Sequence, residues 1–188
     1  MASAERAAEK KSKINLILND ISSGDEKKVL EGLKALKVNG DDKVILPIIE
    51  VWSKGVSQKT ADEIVTFIGD IKSTTSAQTI MDVLLDDQYN NIHLPLLTTI
   101  WNSKVDYSEY IVDFVNIAIK HDFMVALECL TIIENMEGPF EEHHMLDAEI
   151  SLREYAEKHN EEKSDDDKKV QMILEISKLI KSFDEHIM

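Results

Sequence analysis

The residue types able to do chemistry gather in one short stretch. Glu141, Glu142, His143 and His144 are consecutive, and Asp147 follows one helical turn later. On a helix His143 and Asp147 share a face, as do Glu141 and His144, because side chains three or four apart are neighbours. Glu141 and His144 thus make one Glu-x-x-His pair. A di-metal carboxylate bundle requires two such pairs and two more glutamates on facing helices. No second pair exists in the chain. No metal and no cofactor is therefore expected, and the acids read as a solvated first turn placed favourably at a helix N-terminus.

Little else suggests catalysis. Cys129, the one cysteine, sits in the apolar run from Val125 to Leu130 and reads as a small buried hydrophobe. Being alone, it excludes a disulfide framework and any multi-cysteine metal site. The six glycines stand apart, so no phosphate-cradling loop forms, and no Gly-x-Ser-x-Gly or His-Glu-x-x-His signature occurs. No catalytic residue is assigned. His93 falls in a helical core register, where a neutral, hydrogen-bonded imidazole is expected. Trp52 and Trp101 each lie shortly after a Leu-Pro dipeptide (46–47 and 94–95), so the two segments look alike. Core packing is expected for both; an exposed one would instead be a binding anchor.

The elements that must position these residues are helices. Almost every segment of the 188-residue chain shows the 3.6-residue period, and none alternates at period two. The pattern predicts ten helices at about 3–21, 25–38, 41–54, 57–72, 76–86, 91–104, 107–121, 122–136, 139–159 and 165–186. Start signals are Ser23 with Glu26, Asp41, Ser57, Thr75 with Gln78, Asp106 with Glu109, and Ser164 with Asp167. Pro139 suits the first turn of the ninth helix, where its missing N–H is harmless.

These helices repeat. Val29, Leu33 and Leu36 shift by 32 residues onto Ala61, Val65 and Ile68, by another 32 onto His93, Leu97 and Ile100, and by 33 onto Ala126, Leu130 and Ile133. Each triplet has the i, i+4, i+7 spacing of one buried helical face. Between them, Val44, Ile48, Val51 and Trp52 shift onto Ala77, Met81, Leu84 and Leu85, then onto Tyr110, Phe114, Ile117 and Ala118. A period near 33 holding two helices is the pattern of a helical solenoid, whose pairs cannot bury both faces without stacked neighbours.

The run from Gly24 to Leu36, followed by Asp41 to Ile49 with its Leu46-Pro47, resembles a HEAT-like repeat, as does the ending Leu84 to Asp87. The likeness covers residues 24–137, where the repeats are clearest. The Arg and Asp typical of the family's inter-helix turn do not recur regularly, which keeps armadillo-like and other α-α solenoids in view. The resemblance implies an all-α, right-handed α-α superhelix of about ten helices in five antiparallel pairs. It would form a single domain over 1–188, with a frayed 1–12 and an acidic capping pair at 139–188. It also implies a non-catalytic scaffold or adaptor that binds a protein partner through a groove. The same superfamily includes DNA base-excision enzymes, an alternative alongside a lyase-type activity.

Charge narrows the partner. The formal net charge is −15, from 36 acids and 21 bases, which disfavours nucleic acid, anionic membranes and a DNA-repair role. Residues 134–167 alone hold 13 acids against Arg153, Lys158 and Lys163. Glu141, Glu142, Asp147, Glu149, Glu157, Glu161 and Glu162 are the candidate contacts for a basic protein partner. Helix ten carries Val170, Ile173, Leu174, Ile176, Leu179, Ile180 and Phe183 over a wide arc. It is expected to fold back on the ninth helix, the alternative being a homo-oligomer built through it, so a monomer or weak homodimer is expected. No stretch reaches the roughly 20 apolar residues of a bilayer span, and no signal-peptide pattern opens the chain. The expected location is the cytoplasm.

Overall fold

Burying one apolar stripe per helix yields ten α-helices among the described residues: α1 Ala2–Ile21, α2 Glu26–Asn39, α3 Ile45–Ser53, α4 Gln58–Gly69, α5 Thr75–Leu84, α6 His93–Ile100, α7 Ile111–Lys120, α8 Phe123–Glu134, α9 Glu142–Glu162 and α10 Asp167–Asp184. The structure, a computed structural model, describes residues 2–23, 25–39, 42–71, 75–103, 105–162 and 167–184. Short 3-10 segments lead into three helices: Asp42–Val44 into α3, Asp87–Ile92 into α6 and Ser108–Tyr110 into α7. The fold is all-α among the described residues. None of its helices there is long and apolar enough to cross a membrane.

The 3-10 lead-ins account for three displaced starts. Helices expected from 41, 91 and 107 begin instead at Ile45, His93 and Ile111. Pro47 and Pro95 then occupy the third position of their helices, inside the first turn, whose N–H groups have no intrahelical acceptor in any case. Pro139 does not do the same. α9 starts at Glu142, so Pro139 belongs to the non-helical stretch that follows α8.

Capping is local and specific. Ser57 caps α4, accepting from the Thr60 N–H at 3.3 Å, as its position promises. Ahead of α2 the cap is Asp25 rather than Ser23: its Oδ1 accepts from the N–H of Lys27 and of Lys28 at 3.0 and 3.3 Å. Ser23 turns back to the Asp20 carbonyl. Asp106 accepts from the Ser108 N–H at 2.9 Å, and Asp122 caps α8 through the Val125 N–H at 3.1 Å. The expected caps Asp41 and Ser164, and the side chains of Thr75 and Asp167, lie outside the described residues.

The helices gather into two compact units, Met1–Val83 and Leu84–Met188. In the first, α1 packs on α2 and α3, and α4 on α2 and α3. Ile14, Ile17 and Ile21 supply the inner face of α1, with Ile21 fully enclosed. α1 and α2 meet at Gly32: a Cβ added there would stand 2.8 Å from Ile21 Cγ1. A mid-helix glycine lowers helix stability, and this close crossing is its physical reason. Lys37 at the end of α2 reaches Asp70 at the end of α4 at 3.3 Å, tying the two together at the surface.

In the second unit α8 is packed by α6, α7 and α10, and α9 by α7 and α10. Its core comes from Leu96, Leu97, Phe114, Val115, Ala126, Cys129, Ile133, Ala148, Ile176 and Ile180, all buried. α10 folds back with Ile173, Ile176 and Ile180 inward, leaving Leu174 half exposed. Two of its lysines fasten its start: Lys169 donates to the Ile119 carbonyl at 2.8 Å, and Lys168 lies over the Phe123 ring.

The repeated triplets are buried on α2, α6 and α8, but α4 is turned by one residue. Thr60, Ile64, Phe67 and Ile68 face inward there, while Ala61 and Val65 are only partly covered. Thr60 is a polar residue in an apolar slot, satisfied by the Ser57 hydroxyl at 3.2 Å. Likewise Leu85, expected inside, is half exposed because α5 ends at Leu84.

Two substitutions test this packing by chemical denaturation. Ile64→Ala should destabilise by about 2–5 kcal/mol, and Val65→Ala by well under half as much; equal effects would restore the unshifted register. Gly32→Ala should lower stability even though alanine is favoured over glycine in a helix by about 1 kcal/mol, and a more stable variant would contradict the close crossing.

Candidate functional site

The acidic residues singled out above do not form one patch. Glu141 precedes α9 and turns to His143, with Oε2 3.2 Å from Nδ1. It therefore does not share a helical face with His144 as expected. The His143 and His144 rings lie side by side, centroids 4.1 Å apart, and His144 bears on Asp113 of α7, whose carboxyl burial pushes up. Among the described residues no three His, Cys, Asp or Glu side chains converge as a metal site would require.

Along α9, Met145, Ala148 and Leu152 are buried, and this fixes which acids look outward. Asp147, Ile150, Glu154 and Glu157 are exposed and follow i, i+3, i+7, i+10, one stripe on the solvent side. Glu142 and Glu149 sit on a flank of the helix, Glu149 partly covered. The side chains of Glu161 and Glu162 lie outside the described residues. Glu154 was missed in the sequence, although its spacing from Asp147 and Glu157 places it in the same stripe.

The two tryptophans part company. Trp52 is 5% exposed, inside the first unit, whereas Trp101 is 45% exposed where α6 ends. The difference has a signal in the sequence. Trp52 follows Pro47 by five residues and Trp101 follows Pro95 by six, and one residue on a helix is a rotation of about 100°. Ile100 holds the buried position that matches Trp52, and Trp101 is turned out.

Trp101 lines a cleft of about 360 Å³ at the C-terminal ends of α6 and α8. Ile100, Ile132 and Met136 give it apolar surface, and Asp106, Asn135 and Glu137 give it polar groups. Burial pushes the carboxyl of Glu128, one turn before Ile132 on α8, above its ordinary range, with Trp101 acting against that. A second, more apolar cleft of about 610 Å³ shares Met136, Glu137 and Gly138 with the first. Phe140 and Phe183, stacked with centroids 4.6 Å apart, also line it. Residues 136–138 thus separate two clefts.

A further cluster of titratable groups surrounds His93, which is 1% exposed. The His121 ring meets it edge-on at 5.1 Å. Asp87 pairs with Lys120 at 2.5 Å, and this bond, with the lysine's charge, holds the Asp87 carboxyl below its usual range. Burial pushes His121 below the ordinary histidine value; Lys120 and Lys169 act in the same direction, Asp87 and Asp122 against it. Cys129 is fully enclosed, and burial pushes its thiol well above the usual range, as expected of an inert core residue.

The sign of the His121 effect follows. A histidine depressed in the folded state takes up a proton more readily when unfolded, so its contribution is full above about pH 6.5 and lost as pH falls below it. The raised carboxyls of Asp113 and Glu128 act in the opposite sense, as pH rises above the ordinary carboxylate values. The thermal midpoint should therefore drop between about pH 7.5 and 5.5, and His121→Gln should remove part of that drop. An unchanged slope in the variant would assign the effect elsewhere.

Comparison of the chain with protein-family models, with curated proteins and with solved structures returns no match.

Proposed function

We propose that this chain is a non-catalytic interaction scaffold of the HEAT-like kind, which binds a basic protein partner. The observation that carries the reading is in the second unit. There an open cleft with an exposed tryptophan and two carboxylates lies on the same unit as the acidic outer stripe of α9. Exposed aromatic anchors in pockets dominate protein recognition, and a one-signed surface steers an oppositely charged partner.

The right-handed superhelix of five helix pairs belongs to the same proposal. It is supported within the units by the packing of α2 on α4 and of α6 and α10 on α8, and by the recurrence of buried triplets on α2, α6 and α8. A cytoplasmic location suits such a scaffold. The fold-back of α10 speaks for a monomer over assembly through that helix.

The test is capture of a partner from a native cell extract at low and at physiological salt. The full chain should be compared with the triple variant Asp147→Lys, Glu154→Lys and Glu157→Lys. These side chains are exposed, so the helical circular dichroism should not change. The wild-type chain should retain a basic protein more strongly at low salt, since charge attraction is screened over about 8 Å at physiological ionic strength. The variant should retain much less of it. The same protein held equally by both, with the same salt dependence, would refute the acidic-surface reading.

A further inference from the structure

We propose that the cleft at the C-terminal ends of α6 and α8 is a receptor for an arginine side chain on an extended segment of the basic partner. This rests on the scaffold reading above and assigns one place where that partner is held.

The cleft has the features of a site for a flat organic cation. Trp101 offers an exposed indole, and a guanidinium stacks on an indole face more readily than a strongly hydrated ammonium does. Asp106 and Glu137, both exposed, supply carboxylates at the wall, where a planar fork of N–H donors can be accepted. Ile100, Ile132 and Met136 supply apolar surface for the three methylenes of the stem.

The backbone points to the same charge. α6 ends at Ile100 and α8 at Glu134, and residues of both terminal turns line the cleft. Each helix C-terminus carries the equivalent of about half a negative charge, so two of them favour a cation between them. No base is found among the described lining residues; Lys104 lies outside the described residues. Two carboxylates beside an indole, rather than a shell of six or more oxygens, suit an organic cation better than a calcium ion.

The chain's two tryptophans make the test direct. Two-dimensional ¹H–¹⁵N spectra of the full chain should show two indole signals, assigned with Trp101→Phe. The probe is a blocked Gly-Val-Arg-Val-Gly peptide, with lysine and citrulline counterparts. The arginine peptide should shift the Trp101 signal saturably and leave that of Trp52 in place. The citrulline peptide has nearly the same shape without the charge and should bind roughly tenfold more weakly. Asp106→Asn with Glu137→Gln keeps the shape and should weaken the arginine peptide by a similar factor, about tenfold.

No shift at millimolar arginine peptide would overturn the proposal, as would a shift of Trp52 as large as that of Trp101. Equal binding of the citrulline peptide would overturn the charge argument, and equal binding of the lysine peptide the guanidinium assignment. Failure of the peptide while the α9-dependent, salt-sensitive capture persists would overturn this receptor alone. Failure of both would take the scaffold reading with it.

Discussion

The enclosure of α8 is the constraint on which the second unit depends. This helix is apolar over most of its circumference: Val125, Ala126, Cys129, Leu130, Ile132 and Ile133 are all buried. A single antiparallel partner covers only one stripe of a helix, so α8 needs neighbours on several sides. It has them in α6, α7 and α10. Ala126 and Cys129, small and fully buried, suit close approach of those neighbours. α10 returns to α8 as well as to α9, which explains the wide apolar arc of that last helix.

From this enclosure the surface features follow. With α6 and α10 both fixed on α8, the helix end of α6 comes beside that of α8, and the loops leaving them form the walls of the clefts. α7, held by α8, presents its outer side to α9. The buried face of α9 is therefore set, and with it the side on which its acids look out. The described acids from Glu141 to Glu157 are thus sorted by packing into an outward stripe, a flank and a turn. Self-repulsion among these acids is relieved by solvent, because none of the exposed members is drawn into the core.

Much of this architecture is legible in the sequence, for a physical reason. Helices separated by short turns must each bury a stripe, and the stripe shows as a period. The existence and order of all ten helices follow from it. What the period does not show is where a backbone tightens. The 3-10 lead-ins to α3, α6 and α7 keep a helix-like pattern while changing its pitch. A polar residue in an apolar slot also misleads: with Thr60 discounted, Ala61 and Val65 take its place in the pattern, and the face of α4 rotates by one residue. The candidate cleft was harder to see than the helices. Its residues come from Ile100 to Gly138, brought together by packing rather than by spacing, and the tryptophan that marks it differs from its buried counterpart by a single step from a proline. The capping role of Asp122 had a clear type signal and could have been read.

The enclosure of Cys129 has one more consequence. The chain carries a single thiol, at the centre of the second unit, with no exposure and with its ionisation suppressed by burial. A thiol reagent can meet it only when α8 parts from its neighbours, and it meets nothing in the first unit, which holds no cysteine. The rate of labelling in native buffer therefore counts opening events of one unit alone. The molecule contains its own clock for that half of the fold, one that needs no engineered probe.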